Sequence, residues 1–337
     1  MEKGLICLFQ LAQHEIVLRI FFRDHITILL IEKFPDPGLN LTKSCNSKTM
    51  SQDFKGLMYG LIGVIIFGLT LPATRIAVTE LDPVIVGLGR AIIAAMCAGA
   101  YLFFTKARRP TTVEFKKLAI TAVGIIFGFP LLSAIAMLYA PASHGGVMLG
   151  ILPLATVAAS TMFAGERPSI AFWVCSAIGA AAVILFAILQ GGFELHIADI
   201  LLVASVLSAA VGYAIGGQLS KTLGGANVIS WALIISLPFL FPPVLFVYSE
   251  VPSTLSPNVW ASFLYVAIFS QFLGFFAWNR GMELCGIARI GQLQLLQPFV
   301  TLLAAWVLLN EPLTWMTLGF ASFVVGVVAV GRKLQVN

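Results

Sequence analysis

The chain has 337 residues, of which 59% are hydrophobic and only 10% are charged. A soluble domain carries roughly 25% charged residues, so this composition excludes an ordinary water-soluble protein. The formal net charge of +5 would suit a nucleic-acid partner, but the Lys and Arg residues lie in short stretches between long apolar runs. We therefore expect the lipid bilayer, and no nucleic acid, around this chain.

Residues 1–53 are predicted to form an N-terminal tail outside the fold. Their apolar stretch from Ile16 to Ile31 is interrupted by two arginines and an aspartate, which makes it too charged for a membrane span. It also lacks the basic start and the small-residue cleavage site of a signal peptide. One alternative is a helix that lies on the membrane surface. The other, which we favour, is that Met50 is the natural start and that the residues before it are dispensable.

After Lys55 the chain is a succession of uncharged runs, most of them about 20 residues long, the length that a helix needs to cross the hydrocarbon layer. The run 118–165 is long enough for two crossings, with a break at 139–146 where a proline and paired glycines interrupt it. In lipid a backbone must satisfy its own hydrogen bonds, so the runs are predicted to be helices. The sequence thus predicts an all-α integral membrane protein with ten transmembrane helices, at 56–74, 84–105, 118–165 (two helices), 168–193, 200–220, 222–249, 251–279, 290–310 and 312–331.

The basic residues set the predicted orientation. After residue 54, twelve Lys or Arg residues fall on one side of the predicted membrane and only Arg75 falls on the other. Because basic loops stay on the cytoplasmic side, both ends of the ten-helix unit are predicted to be cytoplasmic, in the cell (inner) membrane. The outer side then carries mainly acidic residues: Glu80, Asp82, Glu194, Asp199, Glu250 and Glu311.

An internal repeat divides the helices into two sets of five. The segments LGILPLATVAASTMFAGERP and LQLLQPFVTLLAAWVLLNEP resemble each other, and aligning Pro153 with Pro298 also pairs Glu166 with Glu311. We predict a first five-helix repeat at 54–193 and a second at 194–337. Since five is odd, the second copy enters from the opposite face, so the repeats are predicted to be inverted, a plan that recurs in transporters with a central site.

The chain resembles the EamA-type family of the drug/metabolite transporter superfamily over residues 54–333. The resemblance rests on an ordered set of motifs, of which none is diagnostic alone. The set comprises Asp82-Pro-Val with Arg90, Gly165-Glu-Arg-Pro168, its twin Asn310-Glu-Pro312, and the run GQLQLLQPF from Gly291 to Phe299. The family implies ten helices, a central cavity and secondary transport by alternating access, commonly export of amino acids, other small polar metabolites or drugs. The expected partner is therefore a small polar molecule, and a homodimer is a further candidate assembly.

Arg90 is the one charged residue well inside a predicted span, about seven residues or roughly 10 Å from its outer end. A cation there is costly unless it is paired or reaches the interface. It therefore either anchors a carboxylate of the substrate or has a structural role, with its head at the outer interface or on backbone carbonyls. No predicted span holds an Asp or Glu near its middle, which argues against proton coupling through a buried carboxylate.

Uncharged polar residues supply the other candidates for the substrate pathway. Gln294 and Gln297, with Thr301, share one face of the ninth predicted helix. The eighth carries Gln271, Trp278 and Asn279. Amides offer donors and acceptors without a buried charge, so they suit a polar solute. The alternative is hydrogen bonding between helices, worth about 0.6 kcal/mol on average.

Three titratable residues near predicted helix ends are expected to have structural roles or to face water, and not to take part in transport. His144 lies in the predicted outer break and is expected to be a loop histidine in water. Glu166 and Glu311 each precede a proline that opens a helix, and are expected to cap that helix, because a carboxylate is favourable at a helix N-terminus.

Two other function classes compete with a transporter. One is a membrane-embedded enzyme acting on lipid-linked substrates, which needs clustered His, Asp or Ser at a membrane face. The four histidines and five scattered cysteines form no such cluster and no CxxC pair, so we expect no enzyme activity, no metal and no cofactor. The other is a membrane scaffold or receptor, which would not need inverted repeats.

Overall fold

The structure, a computed structural model, describes residues 45–164, 169–190, 196–248, 251–252, 254–285, 290 and 293–335. The chain divides into two units, Met1–Asp53 and Phe54–Asn337. In the first unit the described residues are helical from Cys45. The predictions that concern residues 1–44, Glu166, Glu194, Glu250 and Gly291 lie outside the described residues.

The described part of the second unit is a succession of ten helical segments joined by short connections. They are α1 Phe54–Ala77, α2 Ile85–Thr105, α3 Thr112–Tyr139, α4 Ala142–Phe163, α5 Ile170–Gln190, α6 Ile197–Leu223, α7 Gly225–Val247, α8 Pro257–Met282, α9 Gln294–Leu309 and α10 Trp315–Gln335. Seven of them are long and apolar enough to cross a membrane, and α5, α9 and α10 contain shorter apolar stretches. No strand occurs among these residues. The prediction of an all-helical, multi-pass membrane protein is confirmed, and the ten crossings and their inversion stay predictions.

The break between α3 and α4 is shorter than the sequence predicts. Only Ala140 and Pro141 separate the helices, so Gly145 and Gly146 lie inside α4. A side chain at Gly146 would place its Cβ 2.9 Å from Cγ2 of Thr301 in α9. These glycines therefore permit close helix packing and do not end a helix.

Glycines also bring α3 against α6, which belong to different halves of the chain. A Cβ on Gly124 would lie 2.6 Å from the backbone oxygen of Ser208, and one on Gly212 would lie 2.5 Å from Cγ2 of Ile125. Ser208 Oγ donates a hydrogen bond to Gly124 O at 3.2 Å. Small residues on facing sides of α3 and α6 thus pack the two helices closely, as such residues do in membrane proteins.

Among the described residues, three helices contain a π-helical segment: α2 at Ile85–Gly89, α3 at Val123–Gly128 and α8 at Tyr265–Leu273. The segments in α3 and α8 occupy matching positions of the repeat, since its offset of 145 residues pairs Ile125 with Ser270. Gln271 Nε2 joins them by donating to Ile125 O at 3.2 Å. Such bulges often occur at functional sites, and these two form part of the wall of a cavity.

Candidate functional site: a two-chamber cavity between the halves

The first chamber of the cavity lies between helices of both halves. It contains about 390 Å³ of empty space, including the space open at its mouth. Its polar lining combines a cation, two amides and two hydroxyl groups with the phenol of Tyr213. The lining residues are Phe67, Thr70, Arg90, Ile125, Phe129, Leu152, Ala209, Tyr213, Ser270, Gln271, Phe275 and Gln297.

The second chamber adjoins the first, because Ile125, Tyr213 and Phe275 line both. It contains about 640 Å³ of empty space, again including its open side. The remaining lining residues come from α3, α4, α6, α7, α8 and α9: Thr121, Thr156, Gly212, Gly216, Gly217, Ser220, Val228, Ile229, Trp278, Asn279, Met282 and Gln294.

The six residues that the sequence singles out are all brought to these chambers. Arg90, Gln271 and Gln297 line the first chamber, and Trp278, Asn279 and Gln294 line the second. All six are buried within the protein. Polar side chains in a membrane helix face the protein interior because lipid cannot solvate them. The polar residues of the apolar runs are therefore expected to meet inside the protein.

Arg90 begins the regular part of α2, directly after its π-helical segment. Its side chain is only 1% exposed, so its head does not reach the outer surface. Within the described part of the chain its Nε has no hydrogen-bond partner and no carboxylate forms an ion pair with it. A buried guanidinium is costly without an anion. The site therefore has an unfilled requirement for negative charge.

The amides fall into two groups. Gln271 donates to Ile125 O, and Asn279 Nδ2 donates to Gly225 O at 2.8 Å, so both link helices. The side chains of Gln294 and Gln297 form no hydrogen bond with any other described residue, although both line the cavity. These two amides are therefore available to a solute.

Aromatic rings form the apolar wall where the chambers meet. The ring of Phe275 lies edge-on to Phe67, with centroids 5.1 Å apart, and to Tyr213, at 6.0 Å. The ring centroids of Trp278 and Phe67 lie 6.2 Å apart. Trp278 also packs against Gly63, where an added Cβ would lie 3.3 Å from atoms of Trp278. The lining therefore pairs flat apolar surfaces with a few polar groups, as small-molecule sites do.

Sequence reasoning missed part of this lining. Tyr213 of α6 lines both chambers, and the sequence holds no signal that distinguishes it from a tyrosine at a membrane interface. Thr70 and Ser270, from different halves, form a hydrogen bond of 2.8 Å beside the first chamber. Isolated Thr and Ser residues are common in membrane helices, so the sequence holds no signal for that pair.

Carboxylates join the two halves at the predicted outer end. Glu311, which follows α9, accepts hydrogen bonds from the backbone N–H groups of Ala142 and Ser143, both at 2.8 Å. Asp199 of α6 bonds to His144 of α4 at 2.6 Å, and Glu80 accepts from the N–H of Ser256 at 2.8 Å. Each bond links an element of one half to an element of the other.

Two predictions about this end are wrong. His144 lies in the first turn of α4, with its side chain 11% exposed and paired with Asp199, and is not a loop residue in water. Glu311 caps α4 of the other half and not the helix that follows it. The reason is local: Asn310 adopts a left-handed conformation with φ 55°, which turns the chain away from α9, and Thr314 supplies the cap of α10 by accepting from Thr317 N.

The sequence model of the EamA-like transporter family matches this chain twice, at residues 54–188 and 196–331. The chain belongs to the EamA-like transporter family. It is therefore a multi-pass membrane transporter, and the predicted membership of the drug/metabolite transporter superfamily is confirmed.

Similar proteins include two named relatives and one solved structure. The "Uncharacterized transporter YdeK" of Bacillus subtilis is 40% identical over 284 residues, which is 84% of this chain and 99% of that protein. The "Probable terminal-alkyne amino-acid exporter" of Streptantibioticus cattleyicolor is 22% identical over 81% of this chain and 92% of its own length. A solved crystal structure with 18% identity aligns with a TM-score of 0.58 and covers 83% of this chain and 97% of that one, which shows a shared fold.

Proposed function

We propose that this EamA-like protein is a secondary transporter that exports small polar molecules with a carboxylate group, amino acids among them, by alternating access. The observation that carries the proposal is Arg90, a buried cation in a cavity wall whose Nε has no hydrogen-bond partner among the described residues. A substrate carboxylate would supply the missing anion and bond to the guanidinium, an arrangement that is strong in a site of low dielectric constant.

The rest of the lining supports a zwitterionic or polar solute. Gln297 lies in the same chamber as Arg90, and Gln294 lies in the adjoining one. Their free amides can replace water around an ammonium or hydroxyl group, while Trp278 and Phe275 offer apolar surface to a side chain. The amino-acid exporter among the relatives is consistent with this substrate class.

Alternating access is proposed because the chain consists of two similar repeats. In the predicted orientation the second chamber lies toward the cytoplasm, because Ser220 and Asn279 each directly precede a basic residue, Lys221 and Arg280. The carboxylate bonds between the halves lie at the other, outer end. We infer that this state is closed outside, and that rocking of one repeat against the other opens it.

Solute flux in proteoliposomes tests the proposal directly. Vesicles loaded with unlabelled amino acids should take up a radiolabelled amino acid by exchange, and empty vesicles or vesicles without protein should not. Flux also distinguishes the alternatives, because a membrane-embedded enzyme would convert its substrate and a scaffold would move none. Absence of exchange for every carboxylate-bearing solute tried, with uptake of a cation or neutral solute, would overturn the substrate class.

Removing one free amide should slow transport without unfolding the protein. Gln294→Leu and Gln297→Leu copy Leu149 and Leu152, the matched and buried residues of the first repeat. Loss of one hydrogen bond worth about 0.5–1.5 kcal/mol should lower flux about 2- to 12-fold. Exchange in proteoliposomes measures the effect, and thermal unfolding should change little.

Gln218→Leu is the matched control for these variants, because Gln218 lies on α6 but lines neither chamber. Its flux should equal that of the unchanged protein. If both cavity variants transport normally, or if both unfold, the two glutamines have a structural role and the proposed pathway is wrong there.

The predicted orientation can be checked by labelling single cysteines in a chain whose natural cysteines are replaced. Tyr139 is 63% exposed and should be outside, and Arg109 is exposed and should be inside. A membrane-impermeant maleimide added to intact cells should label Tyr139→Cys and should label Arg109→Cys only after the cells are opened. The reverse pattern would overturn the topology.

A further inference from the structure

The second chamber contains two polar side chains whose hydrogen-bonding groups are unused within the described part of the chain. Thr121 of α3 is fully buried, and its Oγ1 has no hydrogen-bond partner there. Gln294 of α9 is 7% exposed, and its side chain bonds to no other described residue. The two residues come from different halves of the protein and line the same chamber.

Other hydroxyl groups of this lining are already engaged. Thr156 Oγ1 donates to Leu152 O at 2.8 Å, and Ser220 Oγ donates to Gly216 O at 2.9 Å. Gly216 also packs against Thr121, since a Cβ on Gly216 would lie 3.1 Å from Cγ2 of Thr121, but a glycine has no side chain to bond to the Thr121 hydroxyl. A buried polar group without a partner is costly. A hydrogen-bonding group of a solute would therefore be favoured in this chamber.

Two helices give the spacing between the chambers. On α9, Gln297 lines the first chamber and Gln294, three residues earlier, lines the second. On α3, Ile125 lines both chambers and Thr121, four residues earlier, lines the second. Residues three or four apart share one face of a helix and lie about 5–6 Å apart along its axis. The unused polar groups of the second chamber thus lie about one helical turn beyond the first chamber.

The lining of the second chamber is polar but uncharged, since its described residues include no Asp, Glu, Lys, Arg or His. A charged group of a solute would lose water there and find no counter-ion among these residues, which is unfavourable. An amide or hydroxyl group carries no charge and can both donate and accept a hydrogen bond. This chamber therefore suits the uncharged polar end of a solute.

We propose that Thr121 and Gln294 form a specificity site that selects carboxylate substrates with an uncharged amide or hydroxyl group about one helical turn from the carboxylate. The proposal rests on the proposed function, since it assumes that Arg90 holds the carboxylate in the first chamber. In an extended glutamine molecule the carboxylate carbon and the side-chain amide carbon lie about 5 Å apart. Free glutamine therefore fits the spacing and serves as the probe.

Ligand-dependent thermal unfolding of the purified full chain tests the proposal with four amino acids. Glutamine should bind at least about fivefold more tightly than norleucine, which is as long but leaves both polar groups unpaired. Glutamine should exceed glutamate by a similar factor, because the second charge of glutamate has no counter-ion in the described lining. It should also exceed asparagine, which is one methylene shorter. Equal affinities for glutamine and norleucine would overturn the proposal.

A conservative variant assigns the selectivity to Thr121. Thr121→Val removes the hydroxyl group with little change of shape, so glutamine affinity should fall about 2- to 12-fold while norleucine affinity stays the same. Thr161→Val is the matched control, because Thr161 lines neither chamber and its Oγ1 already donates to Ala158 O at 2.7 Å. The control should keep the ratio of the two affinities. An unchanged ratio in Thr121→Val would show that Thr121 does not select the substrate.

The second residue keeps the test decisive if Thr121→Val does not fold. Gln294→Leu removes the amide from the same chamber and should also lower the ratio of glutamine to norleucine affinity. If this ratio is the same in Gln294→Leu as in the unchanged protein, the proposed specificity site is wrong.

Glutaminamide, in which an amide replaces the carboxylate of glutamine, separates this proposal from the proposed function. Weak binding of glutaminamide, with glutamine preferred over norleucine, would support both. If glutaminamide binds as tightly as glutamine and both exceed norleucine, the specificity site stands and the carboxylate-binding role of Arg90 is wrong. If glutamine and norleucine bind equally and glutaminamide does not bind, the carboxylate site stands and the specificity site is wrong. A protein that none of these solutes stabilises would overturn the specificity site, and the exchange assay would still decide the proposed function.

Discussion

Replacing Arg90 with glutamine should lower exchange of carboxylate-bearing substrates by about 10- to 150-fold. The reason is the loss of a hydrogen bond to a charged group, worth about 1.5–3 kcal/mol. The same change removes a buried cation whose Nε finds no partner in the described part of the chain. Thermal stability without substrate should therefore stay equal or increase, since a buried unpaired charge is destabilising.

The two readouts for Arg90→Gln distinguish the binding role from a structural one. If Arg90 holds helices together, its loss should lower stability and flux together. If it binds a carboxylate, flux should fall. Substrate should also no longer raise the melting temperature of the purified variant. Arg109→Gln, which removes an exposed arginine, is the matched control and should alter neither. Normal exchange by Arg90→Gln would remove the main support for the proposed substrate class.

Replacing Gly124 with alanine should destabilise the protein by about 1–3 kcal/mol, the usual cost of overpacking. The added Cβ would lie 2.6 Å from Ser208 O and 2.8 Å from the Cα of Gly212. Both atoms belong to the backbone of α6, so neither can rotate away and the helices must separate. Since this seam joins the two halves and borders the second chamber, flux should fall as well.

Gly217→Ala is the control for the seam, because Gly217 lies on α6, the partner helix of α3, and a Cβ there would meet nothing within 4 Å. Alanine favours helix over glycine by about 0.5–1 kcal/mol, so this variant should be equal or slightly more stable. Thermal unfolding of both variants in detergent gives the comparison. Equal melting temperatures for Gly124→Ala and Gly217→Ala would contradict the close packing of α3 and α6.

Six of the residues that line the cavity could be predicted from the sequence, because they are exceptions to a simple pattern. A polar side chain in an apolar helix has to face the protein interior, so Arg90, Gln294 and Gln297 stand out without any knowledge of their neighbours. Tyr213 did not stand out, because a tyrosine is equally at home at a membrane interface. Its place between the chambers depends on how α6 packs.

The outer end could not be predicted, because its bonds join residues that are far apart in the chain. Asp199 and His144 are 55 positions apart, and Glu311 and Ala142 are 169 apart. The sequence predicts that these residues lie on one side of the membrane, but a hydrogen bond requires atoms within about 3 Å. Knowing on which side of the membrane a residue lies does not fix its position to within such a distance.

The sequence alone determined the class of protein and nearly all helix positions, and it singled out six of the residues that line the cavity. Each of these follows from the free energy of placing a side chain or a backbone group in hydrocarbon, which is a property of the residue and its immediate neighbours. The tertiary structure alone decided which residues meet: that Glu311 caps α4, that His144 pairs with Asp199, and that the amide of Gln297 bonds to no other residue that the structure describes. Those outcomes depend on the packing of helices from both halves, and no local pattern encodes that packing.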